Sequence, residues 1–341
     1  MKVLRLANDQ PARAMRAVDD YLEDWAGSDM LRLAIAKQLD AIMTAARALS
    51  ARIALGEIPG DPAEIVGVNS DSDKQKAIDV ASHHLFLGLL REAGAAQVLS
   101  EEAEAPAIFA QSGLAVAIDP LDGSGNVGLG ASLGTLFSIA AFNEGEDPFL
   151  KPGSELLAAG YVSYGNTVDL GFSVGDGIVL STLNSSDGSF YVTRENVRIK
   201  PDTADLAYNA SLHRHLLPST RSYVDDCLRG TTGPRGRDFN MRWLGAAVGE
   251  LHRIVLRGGV FLYVADARPG YEHGRLRHVY EANPIAYLMR AAGGLATDGS
   301  HQILDKTPLS HHCRTPLIFG SANEVALISG LVPSAQGESN G

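Results

Sequence analysis

The sequence predicts an α/β protein of layered α+β type, with helices and sheets stacked on one another, and three observations carry that expectation. Residues 28–56 repeat apolar side chains at helical spacing, and 73–93 read as a second helix. Residues 157–200 alternate Tyr, Val, Phe, Ile and Thr between Gly, Asn and Asp turns, the pattern of an antiparallel meander. From 241 to 330, helix-like and strand-like segments alternate.

The first helix, 28–56, is capped by Ser28 or Asp29 and carries Leu31, Ile35, Leu39, Ile42 and Ala46 on one face. The second, 73–93, is stopped by Gly94. Residues 114–118 form a strand that ends at Asp119, because Pro120 has no N–H for a central ladder. Residues 134–142 form the next strand. The meander then turns at Gly165-Asn166, Gly175-Asp176-Gly177 and Asp187-Gly188. After a polar stretch, 200–237, a helix is expected over 241–257 and a strand over 260–265. A helix over 281–292 is closed by Gly293-Gly294, and a strand at 315–321 and a helix at 323–330 complete the order. This divides the chain into an N-terminal α+β half, 1–198, a C-terminal α/β half, 199–332, and a polar, disordered tail, 333–341.

With 45% apolar and 20% charged residues, the 341-residue chain has the make-up of a packed globule. Cys227 and Cys313 are too few for a disulfide framework and fit a reducing cytoplasm. No apolar run is long enough to span a bilayer, and the start, Met1-Lys2-Val3-Leu4-Arg5, has no apolar leader core. The net charge of −11 argues against a nucleic-acid partner. Residues 229–277 nevertheless hold nine arginines against four acids, a local excess suited to a small polyanion.

The segment Asp119-Pro120-Leu121-Asp122-Gly123-Ser124-Gly125 lies seventeen residues after Glu101-Glu102. Such carboxylates are hard oxygen ligands for Mg²⁺ or Mn²⁺. The N–H groups from Gly123 to Gly125 suit a phosphate. Asp119, at a strand end, can bridge two metals, with Asp122 on the second, Glu102 and Glu101 completing the first, and the Leu121 carbonyl as a further oxygen. Asp73 and Asp79 can orient the attacking water. Within the pairs His83-His84 and His311-His312 the side chains point to different faces, and the histidines are read as structural or surface residues. The glycines of this region match no P-loop or dinucleotide pattern.

Four stretches give the chain a specific resemblance: Asp73-Lys-Gln-Lys-Ala-Ile-Asp79-Val, Leu99-Ser-Glu101-Glu102, Asp119-Pro-Leu-Asp122-Gly-Ser, and Gly274-Arg-Leu-Arg-His-Val-Tyr280-Glu281-Ala-Asn-Pro-Ile. Over about residues 28–330 the chain resembles the class I fructose-1,6-bisphosphatases, within the magnesium-dependent, lithium-sensitive sugar and inositol phosphatases. The resemblance implies the sugar phosphatase fold. It implies metal-dependent hydrolysis of the 1-phosphate of fructose 1,6-bisphosphate, of the gluconeogenic or Calvin-cycle type, with two or more Mg²⁺ per subunit. Sedoheptulose 1,7-bisphosphate is the nearest alternative substrate; an inositol or nucleotide phosphatase is more remote. By the same resemblance Glu102, Asp119 and the Leu121 carbonyl bind one metal, and Asp119, Asp122 and Glu281 the second. Glu101 serves a third metal or, together with Asp73, assists the water. Asp122, Gly123, Ser124 and Gly125 hold the phosphate that leaves. Asn209, Trp243, Phe261, Leu262, Tyr263 and Arg275 hold the sugar and the other phosphate. Arg242 reaches a neighbouring subunit's site, implying a homotetramer. The chain departs from the family pattern at Ser72, Gly125, Gly128, Gly130, Trp243 and Arg275. Residues 107–118 lack the Lys-Tyr pair of AMP-inhibited members.

Overall fold

Helix α1 (Val18–Ala26) ends at Gly27, which takes φ 51° to turn the chain into α2 (Met30–Ala54). The carboxylate of Asp29 accepts the Leu31 and Arg32 N–H groups and caps α2 as expected. The computed structural model describes residues 15–68, 74–175 and 177–330. Ser72, Asp73, Asp176 and the tail 333–341 lie outside them.

Strands β1 (Ile65–Val68) and β2 (Lys74–Lys76) pair antiparallel, and α3 (Ala77–Glu92) follows at once. The helix expected from residue 73 therefore begins four residues later. The polar run before Ala77 pairs with β1 instead, and Asp79 accepts the Lys76 N–H where the helix starts. Next come β3 (Gln97–Ser100), β4 (Ala107–Ile108), β5 (Gly113–Asp122), β6 (Leu133–Phe142), β7 (Ala158–Tyr164), β8 (Val168–Ser173), β9 (Ile178–Leu183) and β10 (Phe190–Val197). They form one sheet, ordered β10-β9-β8-β7-β6-β5-β3-β4, antiparallel except where β3 runs parallel to β5. The expected meander is β7 to β10.

The remaining elements are β11 (Asp205–Tyr208), α4 (Pro218–Leu228), β12 (Asn240–Met241), α5 (Ala247–Arg257), β13 (Val260–Tyr263), β14 (Leu276–Arg277), α6 (Asn283–Ala291), β15 (Leu295–Thr297), β16 (Arg314–Thr315), β17 (Leu317–Gly320) and α7 (Ala322–Ser329). A second sheet is ordered β12-β11-β13-β17-β15, and β14 pairs with β16. The helix expected over 241–257 starts only at Ala247, because Gly245 turns at φ 75° and Ala246 is extended. Residues 242–246 are loop. The strand expected at 260–265 stops at Tyr263, and that at 315–321 is cut to β17 after Pro316. A wide π turn, His278–Ala282, leads into α6, so Glu281 sits in an irregular turn rather than a regular helix.

Burial explains the stacking. Leu39, Ile42 and Phe86 pack with Val116, Phe137 and Val162 on one face of the large sheet. Leu136 and Tyr161 on its other face meet Leu251, Ile254, Ile285 and Leu288, with Phe261 and Phe319 beyond them. Val224 of α4 and Val325 of α7 cover the far face of the second sheet, against Leu206 and Leu262. The result is five layers, helices alternating with sheets.

Strand β5 carries the site, and it contradicts the expectation that Pro120 ends it. Leu114, Val116 and Ile118 face α3, while Ala115 and Ala117 face Val279 and Tyr280. Asp119 continues the alanine face. Asp119 pairs with Leu136 and Asp122 with Gly134, three steps on β5 against two on β6. That bulge absorbs one residue and returns Asp122 to the face of Asp119; in an unbroken strand, residues three apart point to opposite faces. Pro120 is tolerated because it lies in the bulge, beyond the residues of β5 that pair with β3.

Candidate active site

Oxygens of Asp119, Asp122 and Glu281, all buried, lie within 4.8 Å of one another. Glu101 joins them: its backbone N–H donates to the Ile118 carbonyl at 3.0 Å, and its carboxyl hydrogen-bonds Asp119. Burial, then the repulsion of Glu102, pushes the Glu101 carboxyl up to about 7. Burial, then Glu101, holds both Asp119 and Glu281 well above the usual carboxylate range. Asp122 is raised to about 6 by burial, against the lowering pull of N–H groups from Val248, Gly123 and Ala247. Arg277, almost fully buried, answers part of this charge: its Nε lies 3.8 Å from Glu101 and its backbone N–H donates to Glu281. Crowded, oxygen-only carboxylates are the donor set of a hard divalent cation, which would favour all four in their ionised form.

The loop after Asp122 is set by close approach. Gly123 takes φ 78°, and a Cβ there would lie 2.6 Å from that of Ala246. A Cβ on Gly134 would fall 2.3 Å from Val248 Cγ1 and 2.5 Å from the Val162 carbonyl. With hydrogen at both positions the start of α5 abuts β5 and β6, and the Val248 N–H reaches Asp122 Oδ2 at 2.7 Å. Lys76 Nζ bonds the Ser124 carbonyl at 2.5 Å. The first turn of α5, whose N–H groups point this way, adds a positive end for an anion.

A cavity of about 270 Å³ opens here, lined by Glu101, Asp122 and Glu281, by Gly123, Ser124 and Gly125, by Trp243, Phe261 and Tyr263, and by Arg275, Arg277 and Arg314. Trp243 stacks on Phe261 at 5.7 Å and 3°, and meets Tyr263 edge-on. The loop bearing Trp243 is held by fully buried Glu250, which accepts the Leu244 N–H at 2.7 Å and pairs with Arg253.

Other expected residues fall elsewhere. The Glu102 carboxylate accepts from Gln75 at 2.6 Å, outside the tight group of three. Leu121 buries its side chain towards α2 and α3, and its N–H donates to Asp119 at 3.0 Å. Leu262 points into the core on the opposite face of β13 from Phe261 and Tyr263, and does not line the cavity. Neither does Asn209, whose side chain caps the turn at Ser211, nor Arg242, half exposed and 3.8 Å from Asp205. Asp79 caps α3, with Oδ1 buried and unpartnered. His83 bonds Ser100, and His312 bonds Tyr280, consistent with structural histidines. Sequence reading missed Arg277, Arg314, Lys76 and Glu250. Only Arg277 left a signal, two residues from Arg275, the spacing of one strand face.

Known proteins resemble this chain over most of its length. The profile "Fructose-1-6-bisphosphatase, N-terminal domain" matches residues 23–195, and "Fructose-1-6-bisphosphatase, C-terminal domain" matches 199–332. Class 1 fructose-1,6-bisphosphatases of Brucella anthropi and Brucella suis are each 58% identical over 326 residues, covering 95% of this chain and 96% of theirs. Among solved structures, Leishmania major fructose-1,6-bisphosphatase in holo form superposes with a TM-score of 0.85 at 26% identity, covering 93% of this chain and 99% of that one. Its apo form gives 0.80 at 24%, a likeness of fold. The fold and these relatives together define a phosphatase of the layered α/β class. Within that class, the chain belongs to the fructose-1,6-bisphosphatase family.

Proposed function

We propose that this chain hydrolyses the 1-phosphate of fructose 1,6-bisphosphate, releasing phosphate and fructose 6-phosphate. One observation carries the reading: a single cavity is walled both by buried carboxylates and by arginines, so it suits a substrate with one phosphate at a metal and another at the cations. Asp119, Asp122 and Glu281 would hold Mg²⁺, two or more ions per subunit, or Mn²⁺, with Glu102 and the Leu121 carbonyl as further ligands. A divalent cation held there would supply charge to offset that of the phosphoryl oxygens and would make water easier to deprotonate.

The chain's own groups do the rest. The N–H groups of Gly123 to Gly125 and the Ser124 hydroxyl receive the 1-phosphate. Glu101, hydrogen-bonded to Asp119 at the acidic cluster and held ionised once a cation is bound, is suited to take the proton of the attacking water, with Asp73 and Glu102 assisting. Water adds to phosphorus as the bond to the sugar oxygen breaks, and that oxygen leaves as the hydroxyl, the proton given up by the water being returned to it directly or through solvent. Arg275 pairs with the retained phosphate, and the Trp243, Phe261 and Tyr263 rings wall the sugar. Asn209 and Leu262 act from the margin, Leu262 through its main chain. Arg242, half exposed, reaches a neighbouring site in a homotetramer.

The division at residue 198 is supported by the two family profiles, which part between 195 and 199. The acidic cluster draws on both halves, since Glu281 comes from the second. Free Cys227 and Cys313 support a cytoplasmic location. Among the described residues no helix is long and apolar enough to cross a membrane.

The test is phosphate release with Mg²⁺ on fructose 1,6-bisphosphate, sedoheptulose 1,7-bisphosphate and inositol 1-phosphate side by side. Preference for fructose bisphosphate is expected. Activity on inositol phosphate alone, or none, would refute the proposal.

A further inference from the structure

The loop from β13 to β14 contains an unusual stack. The Tyr271 ring carries two guanidinium groups packed over it, Arg275 at 4.0 Å and Arg268 at 4.4 Å from its centroid. Arg275 also lies 5.7 Å from the Tyr263 ring, and Tyr263 and Arg275 both line the cavity. The two cations do not repel freely, because Arg268 is matched by buried Asp266. Asp266 Oδ1 accepts Arg268 Nε at 2.9 Å and its backbone N–H at 3.0 Å, and Oδ2 accepts Nη2 at 2.5 Å.

The stack is also anchored at both ends. The Asp266 N–H donates to the Tyr271 carbonyl, and the Ala267 N–H to His215. At the far end Gly274, at φ 77°, packs so closely that a Cβ would sit 2.4 Å from the Pro316 nitrogen. The loop is therefore a built support for one side chain.

We infer that Tyr271 is a positioning residue: clamped on Arg268, it holds the Arg275 guanidinium in place for the phosphate that the substrate retains. The inference rests on the functional reading above. A free arginine must give up side-chain rotamers on binding an anion, and stacking removes that loss beforehand. The effect should therefore appear in binding of the second phosphate and not in the chemical step.

The experiment measures steady-state kinetics with Mg²⁺ on fructose 1,6-bisphosphate and fructose 1-phosphate, for wild type, Tyr271→Leu, Tyr271→Phe, Arg275→Ala and the Leu/Ala double variant. Leucine keeps the bulk of this half-buried position and removes the π face; phenylalanine keeps the face. Tyr271→Leu should raise KM for the bisphosphate about tenfold, the upper range for a cation–π contact, with kcat and the fructose 1-phosphate constants changed less than about twofold. Tyr271→Phe should match wild type, and Tyr271→Leu should add nothing to Arg275→Ala. An unchanged bisphosphate KM, an equal loss on both substrates, or additive losses would overturn the role of Tyr271 alone. Wild-type enzyme that does not favour the bisphosphate would overturn the functional reading, and this inference with it.

Discussion

Replacing Glu101 by Gln should stabilise the metal-free protein while disabling the metal-loaded enzyme. The Glu101 carboxyl stands at about 7 against an ordinary 4.5, so the folded state binds its proton more tightly than the unfolded chain does. Its stabilising protonation is complete below 4.5 and is lost as pH rises to about 7; above that the ionised group opposes folding. The gap corresponds to about 3 kcal/mol. With 25% of the side chain exposed, solvent reduces this to about 2 kcal/mol. Glutamine keeps the shape and can still bond Asp119. In EDTA at pH 8 the variant should melt about 3 °C above wild type by differential scanning calorimetry. By pH 5 roughly a quarter of that gain should remain, because the wild-type group is then mostly protonated when folded. Saturating Mg²⁺ should reverse the order, since wild type gains more from binding. Activity should fall at least about a hundredfold, the size of a general-base contribution. A variant that melts below wild type in EDTA at pH 8, or gains equally at pH 5 and pH 8, would refute the reasoning.

Asp119→Ala should abolish phosphate release with the circular dichroism spectrum retained, and calorimetric titration should show weakened Mg²⁺ binding; wild-type turnover would remove Asp119 from the site. Arg275→Ala should raise KM for fructose 1,6-bisphosphate far more than for fructose 1-phosphate, and equal rises would mean that it does not hold the second phosphate. Gly134→Ala forces Val248 or the Val162 carbonyl aside and should lower both the urea midpoint and kcat, because the start of α5 can no longer meet Asp122; unchanged kcat would show that this approach does not matter.

The acidic segment at Asp119 and Asp122, the pair Glu101-Glu102, the meander and the apolar faces of α2 and α3 could all be read from the chain, because each is local: turn residues, period-two and period-3.6 patterns, and clustered carboxylates. Boundaries failed where pairing and packing outweighed local preference. β2 reads as helix because a strand of three residues is too short to show a period of its own, and residues 242–246 do so because Glu250, Gly245 and the stacked Phe261 hold them open. Pro120 was read as a stop, since a bulge is a property of two strands and not of one. The residue types needed to bind metal and phosphate were therefore written in the sequence. Packing set their arrangement: the bulge put Asp119 and Asp122 on one face, hydrogen at Gly134 let α5 reach Asp122, and a π turn brought in Glu281 from some 160 residues away. Side-chain chemistry is fixed one residue at a time, whereas a cavity exists only once chain-distant layers exclude water from the same few ångströms.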